Sequence, residues 1–406
     1  MQKGMDQQPE TPLKIALVAG EHSGDALGAK LMVALKRARP QRIDFSGLGG
    51  EGMVQEGMAP LFPLSDVAVM GPLPILASLP RLLNRAFRVI DTVVAAEPDV
   101  LVIIDSPEFT HPIARRVRKR RPAMPIIDYV SPSVWAWRPG RARRMRPYVD
   151  HVLALLPFEP DTHARLGGPL CSYVGHPLIE RLEWITAQDG AELARRLSLR
   201  PGLPVVVVLP GSRRTEVGRL MPCFAEAMAG LSRRLGGDFE VLMPVVPAMR
   251  PMIEDHLSDW VVQPHLIESD ADKFAAFRLA RVALAASGTV ALELALAGTP
   301  MVIAYRVDPL AAPILRRAIK ARSVVLPNMI LDENAFPEFL QVADMGEKLA
   351  ECLAELMGDT PARAAQLQAL AEIPARLRLA AGTPSEAAAA IVLDYAEGRR
   401  KANTNG

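Results

Sequence analysis

Short apolar runs alternate with longer amphipathic stretches along this chain, and that alternation restricts its fold more than any other feature. The runs IALVAG (15–20), IDFSGLGG (43–50), DVLVIID (99–105), PIIDYVSP (125–132) and HVLALLP (151–157) are rich in Val, Ile and Leu, and helical periodicity follows them. Strands buried on both faces of a parallel sheet read this way, because neither face needs polar residues. After YVGHP (173–177) and a polar stretch the pattern restarts with VVVVLPGSRR (205–214), FEVLMPVV (239–246), VVQPHLI (261–267), ARVALAASG (280–288) and PMVIAYR (300–306). An α/β chain with two Rossmann-like domains is expected, over residues 13–180 and 181–380, with a helical tail over 381–406. Residues 345–398 read as a helical closing segment, and the polar end from about residue 397 as frayed. Doubly wound domains bind ligands beyond the carboxyl ends of their strands, so a cleft between the two domains is the expected site.

Composition narrows the function. Of 406 residues, 50% are hydrophobic and 23% charged, enough apolar material for two ordinary cores and too much for a disordered chain. The 47 basic residues nearly cancel the 45 acidic ones, leaving a formal charge of +2 and no global field to hold nucleic acid or an anionic membrane. Anionic partners must therefore be met locally. Cys171, Cys223 and Cys352 stand far apart, and the seven histidines show no HxxxH or HExxH spacing, so neither a disulfide framework nor a metal site is expected. No DxD pair stands where it could hold a metal between two phosphates. Residues 1–12 are polar and 13–20 are too short to span a bilayer, while the longest apolar region, 282–305, is interrupted by Ser287, Gly288, Glu293 and Gly298. A cytoplasmic protein without a transmembrane helix is expected.

Several segments carry chemistry. The first run ends in AGEHSGDALGA, where small residues let a turn enter a helix, and Glu21, His22 and Asp25 are poor company for a pyrophosphate. This reads as an acceptor-side loop, or as a plain strand-to-helix turn capped by Ser23 or Asp25. Asp105 follows a buried strand, where a carboxylate is costly unless it serves the cleft or is paired. It is a candidate general base, or a cap of the next helix, and Glu108 could close a capping box. YVSPSVWAWRPGRARRMRPY joins Trp135 and Trp137 to Arg138, Arg141, Arg143, Arg144 and Arg146, so it could hold a phosphorylated amphiphile or be a basic helix with its indoles in the core. A second basic run spans Arg115 to Arg121. It reads as a surface helix end or as an attraction for an anionic leaflet.

In the second half, LPGSRRTEV turns at Gly211 and presents Ser212 and Arg213 at a helix start, where an anion gains from the helix end and a guanidinium together. ASGTVALE repeats that logic with Ser287, Gly288 and Thr289, and Glu293 could accept the ribose hydroxyls of a nucleotide or merely face the helix dipole. The apolar, proline-bearing stretch LPILASLPRLLNRAF (73–87), followed by Arg88, could lie in a membrane interface, line an acyl groove or be a core helix.

Together ALVAGEHSGD, AVMG, IDSPEF, YVSPSVWAWR, LPFEP, VGHPL, LPGSRRTEV, ASGTVALE, MVIAYR and LPN, in that order from about Lys14 to Gln341, resemble the lipid-A-disaccharide synthase family. The resemblance implies a glycosyltransferase-B fold and a hexosyltransferase of lipid A biosynthesis. It would transfer the sugar of UDP-2,3-diacylglucosamine to 2,3-diacylglucosamine 1-phosphate with inversion, without a metal or other cofactor. It further implies work at the inner-membrane surface and homodimers that can exchange C-terminal segments. Carried onto this chain, Asp105 and Arg213 match positions that matter for activity, and Glu293 and Asn328 match positions near the nucleotide. The stretch MILDENAFPEF after LPN departs from the usual pattern, which leaves Glu333 and Asn334 unassigned, and His22 stands where Thr is more frequent.

A single inverting displacement needs a base at the acceptor hydroxyl; Asp105 is the first choice, with Glu21 and Asp25 behind it. Leaving-group charge would be met by Arg213 and by the N–H groups after Gly211 and Ser287. A soluble UDP-sugar epimerase of related architecture and a non-catalytic nucleotide-sugar or lipid carrier are the alternatives. A nicotinamide oxidoreductase is disfavoured because neither half shows a proper GxGxxG fingerprint.

Overall fold

The computed structural model describes residues 12–67, 72–306, 322–342 and 344–404; the AVMG segment (68–71) lies outside the described residues. The chain divides into two compact units, one of Met1–Pro177 with Leu379–Gly406 and one of Leu178–Arg378.

In the first unit, β1 (Leu13–Ala19), β2 (Ile43–Leu48), β3 (Val100–Ile104), β4 (Ile126–Tyr129), β5 (His151–Ala154) and β6 (Leu170–Tyr173) form a parallel sheet in the order β2-β1-β3-β4-β5-β6. Successive side chains of β1 point to opposite faces, and helices cover both. Ile15, Leu17 and Ala19 pack on Leu31 and Leu35 of the helix His22–Ala38, whereas Ala16 and Val18 pack on Val89, Ile90, Val93, Ile113 and Val117. Chain order reverses between β1 and β3, so the crevice for a ligand lies beyond Ala19 and Ile104, which are paired in register.

Residues 384–404, set apart above as a tail, form a helix, Pro384–Thr404, that packs on the helix His22–Ala38 of this unit. Ala388, Ala389, Val392 and Ala396 are fully buried there, small enough to bring the two helices close. The expected fraying from residue 397 is corrected by the structure. Arg400 Nε donates to Asp99 Oδ2 at 2.9 Å and Arg399 to the Pro98 carbonyl at 2.6 Å, which ties the helix end to the start of β3.

In the second unit, β7 (Val205–Leu209), β8 (Glu240–Pro244), β9 (His265–Ile267), β10 (Val282–Ala286), β11 (Met301–Tyr305) and β12 (Glu338–Leu340) run parallel in the order β12-β11-β10-β7-β8-β9. Counted within the unit this is the dinucleotide-fold order, with its reversal between β7 and β10. Val206 and Val208 face Val217, Phe224 and Leu349, drawn from the helices Arg214–Leu235 and Met345–Met357. Among the described residues no helix is long and apolar enough to cross a membrane.

Candidate active site

Each reversal point gathers the residues that follow its two strands. In the first unit the turn after β1 and the turn after β3 touch: a Cβ on Gly20 would stand 2.5 Å from the Cβ of Ser106, so only glycine allows the approach. The Ser23 hydroxyl donates to Asp105 Oδ2 at 3.1 Å, and the Ser106 amide donates to Oδ1 at 2.7 Å. Asp105 and Ser106 are both left-handed, with φ of 54° and 45°. Two consecutive non-glycine residues in that region cost about 1–3 kcal/mol each and persist where the surroundings over-determine them. Those restraints are visible, because the Asp105 amide donates to the Tyr129 carbonyl at 3.0 Å and the Thr110 hydroxyl donates to the Asp105 carbonyl at 2.8 Å. The half-buried carboxylate is thus held at the sheet's carboxyl edge, and Glu21 enters the neighbouring helix from the same crevice in extended backbone.

Asp25 is used differently from its second-line place as a base. Its Oδ1 accepts from the amides of Gly50 and Met53 at 2.7 and 3.0 Å, and its Oδ2 from Gly52 at 2.9 Å, so it anchors the start of the helix Glu51–Gln55. It is 7% exposed. Asp25→Ala should therefore cost at least about 3 kcal/mol, since three amides lose their acceptor, and thermal melts should fall well before any kinetic effect is separable. A variant that melts like the parent would return Asp25 to the list of bases.

Glu108 does not close a capping box, because the left-handed Ser106 turns the chain away from cap geometry; it is exposed and takes Arg141 and, at 3.1 Å, Arg138. The two indoles part company. Trp135 donates to Glu159 Oε1 at 3.2 Å and packs edge-on against Phe158, while Trp137 is 43% exposed beneath Arg138. Burial raises the Glu159 carboxyl to about 7, so near neutrality this anchor of the Trp135 loop is partly protonated. The second basic run ends as a surface helix whose Arg118, Arg120 and Arg121 pair with Asp150, Asp91 and Glu97. In the helix Pro72–Ala96, which holds the apolar stretch, Val89, Ile90 and Val93 are buried against the sheet, while Leu83 and Phe87 are exposed.

In the second unit a crevice of about 600 Å³ opens at the β7/β10 reversal, lined by Gly211, Ser212, Arg213, Ser287, Gly288, Thr289 and Glu293. Gly211 takes φ of 114°, and a Cβ there would stand 2.7 Å from Glu216, so the turn into the helix Arg214–Leu235 needs glycine twice over. Glu216 escaped sequence reading although it stands three residues after Arg213, the spacing by which a first-turn glutamate reaches back to the cap. Its Oε2 accepts from the Ser212 amide at 3.2 Å, and its Oε1 lies 3.3 Å from the Arg213 guanidinium. Lys273 also escaped notice; only the β9 crossover brings the helix Asp270–Leu279 alongside, placing its ammonium 3.0 Å from Glu293 and 2.9 Å from Asp270. The helix Val290–Ala297 starts beyond Thr289 and carries Glu293 in its first turn.

Asn328 is not among the crevice residues. It is 2% exposed, donates to the Phe336 carbonyl at 2.9 Å and accepts from the Phe336 amide at 2.9 Å, closing the 328–336 turn. Its tie to the crevice is indirect, since the Ser287 hydroxyl donates to the Val324 carbonyl at 3.2 Å on the segment that Asn328 helps to hold. Glu333 and Asn334 are exposed on that turn. Among the described residues no three His, Cys, Asp or Glu side chains gather to hold a metal ion.

Known proteins place this geometry. Among solved structures the chain resembles UDP-GlcNAc 2-epimerase from Neisseria meningitidis, with TM-score 0.60 and 13% identity, covering 94% of this chain and 99% of that one. It also resembles MurG of Acinetobacter baumannii, with TM-score 0.54 and 14% identity over 94% of this chain and 100% of that one. Likeness at that identity carries the fold, the glycosyltransferase-B fold of two Rossmann-like units. In sequence the chain is 49% identical over 381 residues to lipid-A-disaccharide synthase of Nitrobacter hamburgensis, covering 94% of this chain and 95% of that relative. The same-named protein of Bradyrhizobium diazoefficiens is 47% identical over 397 residues, 98% of this chain and 100% of that one. The family model described as lipid-A-disaccharide synthetase matches residues 15–392, a span that takes in Asp105, Arg213 and Glu293, and the chain belongs to that family.

Proposed function

We propose that the chain transfers a 2,3-diacylglucosaminyl group from UDP-2,3-diacylglucosamine to the 6-hydroxyl of 2,3-diacylglucosamine 1-phosphate. Inversion gives the β-1′,6-linked disaccharide 1-phosphate and UDP. The observation that carries this is the β7/β10 crevice, where a guanidinium, two small-residue turns and a helical carboxylate meet in a chain nearly half identical to its synthase relatives.

In this reading Glu293 accepts the ribose hydroxyls, and Arg213 with the amides of the Gly211 and Ser287 turns meets the diphosphate. Charge grows on the diphosphate as the anomeric bond breaks, so donors fixed beforehand stabilise the transition state more than the bound donor. Asp105, oriented by Ser23 and the Ser106 amide, removes the acceptor's 6-hydroxyl proton as that oxygen attacks from the face opposite UDP. Acylated substrates put the enzyme at the cytoplasmic face of the inner membrane as a peripheral protein, and the exposed Leu83 and Phe87 suit such a surface.

The test is an assay in neutral detergent with EDTA, offering both diacylated substrates and following UDP release and product mass. A disaccharide 1-phosphate formed in step with UDP is the expected result. Donor consumed without acceptor would point to an epimerase or hydrolase, and intact donor to a carrier.

A further inference from the structure

The two basic runs, separate in sequence, meet in the first unit. A cavity of about 440 Å³ lies between the helices Pro107–Arg120 and Gly140–Met145, lined by Arg115 and Arg116 of the first run and Arg138, Arg141 and Arg144 of the second. Glu108 is the one carboxylate among its lining residues, and it is already shared by Arg138 and Arg141. Arg144 is exposed and has no partner among the described residues. The floor is firm: His111, 6% exposed, has Nδ1 3.1 Å from the Tyr148 hydroxyl, and Arg115 lies 4.9 Å from the Tyr148 ring centroid.

Two features say what such a cavity takes. Five guanidiniums against one carboxylate leave a strong local excess of positive charge in forks that match phosphate oxygens, whereas the β7/β10 crevice sets Arg213 and Lys273 among Glu216, Glu268, Asp270 and Glu293. The cavity is also flanked by exposed apolar rings: Arg116 lies 5.4 Å from the Phe87 centroid and Arg138 4.2 Å from that of Trp137, rings 49% and 43% exposed. A phosphate beside apolar surface is the signature of a phosphorylated amphiphile.

We propose that this cavity binds the anomeric phosphomonoester of the acylated acceptor, so that the acceptor is read by its phosphate in the same unit that carries Asp105. The assignment rests on the transferase function proposed above. It separates the two anions of the reaction, the diphosphate going to the second unit and the monophosphate to the first.

Three proteins test it: the parent, Arg115→Ala/Arg144→Ala, and Arg143→Ala, whose residue is exposed on the same helix but does not line the cavity. Calorimetry with N-acetylglucosamine 1-phosphate, and with N-acetylglucosamine as the neutral comparison, reads the site without catalysis. The double variant is expected to lose at least about tenfold in affinity for the sugar phosphate, and Arg143→Ala to keep it. In the detergent assay the acceptor KM should rise by a similar factor with the donor KM unchanged, and the loss should vanish with an acceptor lacking its phosphate. Equal losses in both variants would overturn the proposal in favour of a general positive field. Binding lost only to phosphatidylglycerol vesicles, with the acceptor KM intact, would overturn it in favour of a bilayer contact. A parent that binds the sugar phosphate through these arginines yet makes no disaccharide would overturn the transferase function and leave a sugar-phosphate site.

Discussion

Arg213→Ala is expected to lower kcat by about 10²–10³, the usual cost of removing a preorganised donor from developing negative charge. Its melting temperature should stay within about 2 °C of the parent's. The stability half follows from exposure: the Arg213 side chain is 61% exposed, and its one ion pair among the described residues, with Glu216 at 3.3 Å, is of the weak surface kind. The kinetic half follows from position. Arg213 is the cap residue of the helix Arg214–Leu235, so in the proposed reaction the guanidinium and the helix's free amides would bear on the same anion. Removing the guanidinium also leaves Glu216 in the crevice without its cation, where it would repel an anionic donor. The donor KM should therefore rise along with the fall in kcat. Adding Glu216→Gln should restore much of that KM and little of kcat, because a neutral amide ends the repulsion without replacing the lost charge. Arg213→Lys should fall between, keeping charge but losing the fork. Steady-state kinetics in both substrates, beside thermal melts, read all of this; a variant with near-parental kcat would remove Arg213 from the transition state.

What could be read from the sequence has a physical boundary. β3, β7 and β10 are buried at every residue and β1 at all but Lys14, so each declares itself as a run of apolar residues. β6 (Leu170–Tyr173) and β12 (Glu338–Leu340) went unseen because they are short sheet edges with no fully buried residue. The candidate site residues found first, Asp105, Gly211 to Arg213 and Ser287 to Thr289, directly follow the strands at the two reversal points. There topology alone aims a turn at the ligand crevice. Asp25 and Asn328 were harder, since the same polar side chain can face a ligand or fasten a neighbouring loop, and only the loop's packing decides. Lys273 and the joining of the two arginine runs depend on crossovers that return distant segments side by side, which no local pattern records.

Asp105→Asn should lower kcat by about 10²–10⁴, the range by which a positioned general base accelerates proton transfer. Asparagine is the informative replacement. It tolerates the left-handed region that Asp105 occupies at φ of 54°, and its side-chain oxygen can still accept from the Ser106 amide. Alanine would lose both supports, so slow turnover would mix lost chemistry with a relaxed turn. If the carboxylate is the base, Asp105→Asn should melt as the parent does, bind donor and acceptor with little change, and fail at the chemical step in single-turnover experiments. Ser23→Ala, which frees Oδ2 but leaves the carboxylate, should cost far less and chiefly through orientation. Retention of kcat within a few-fold in Asp105→Asn would pass the role to Glu21, the carboxylate that begins the next helix on the same crevice. Asp25 would not inherit it, because both of its oxygens are committed to the amides that start the helix Glu51–Gln55.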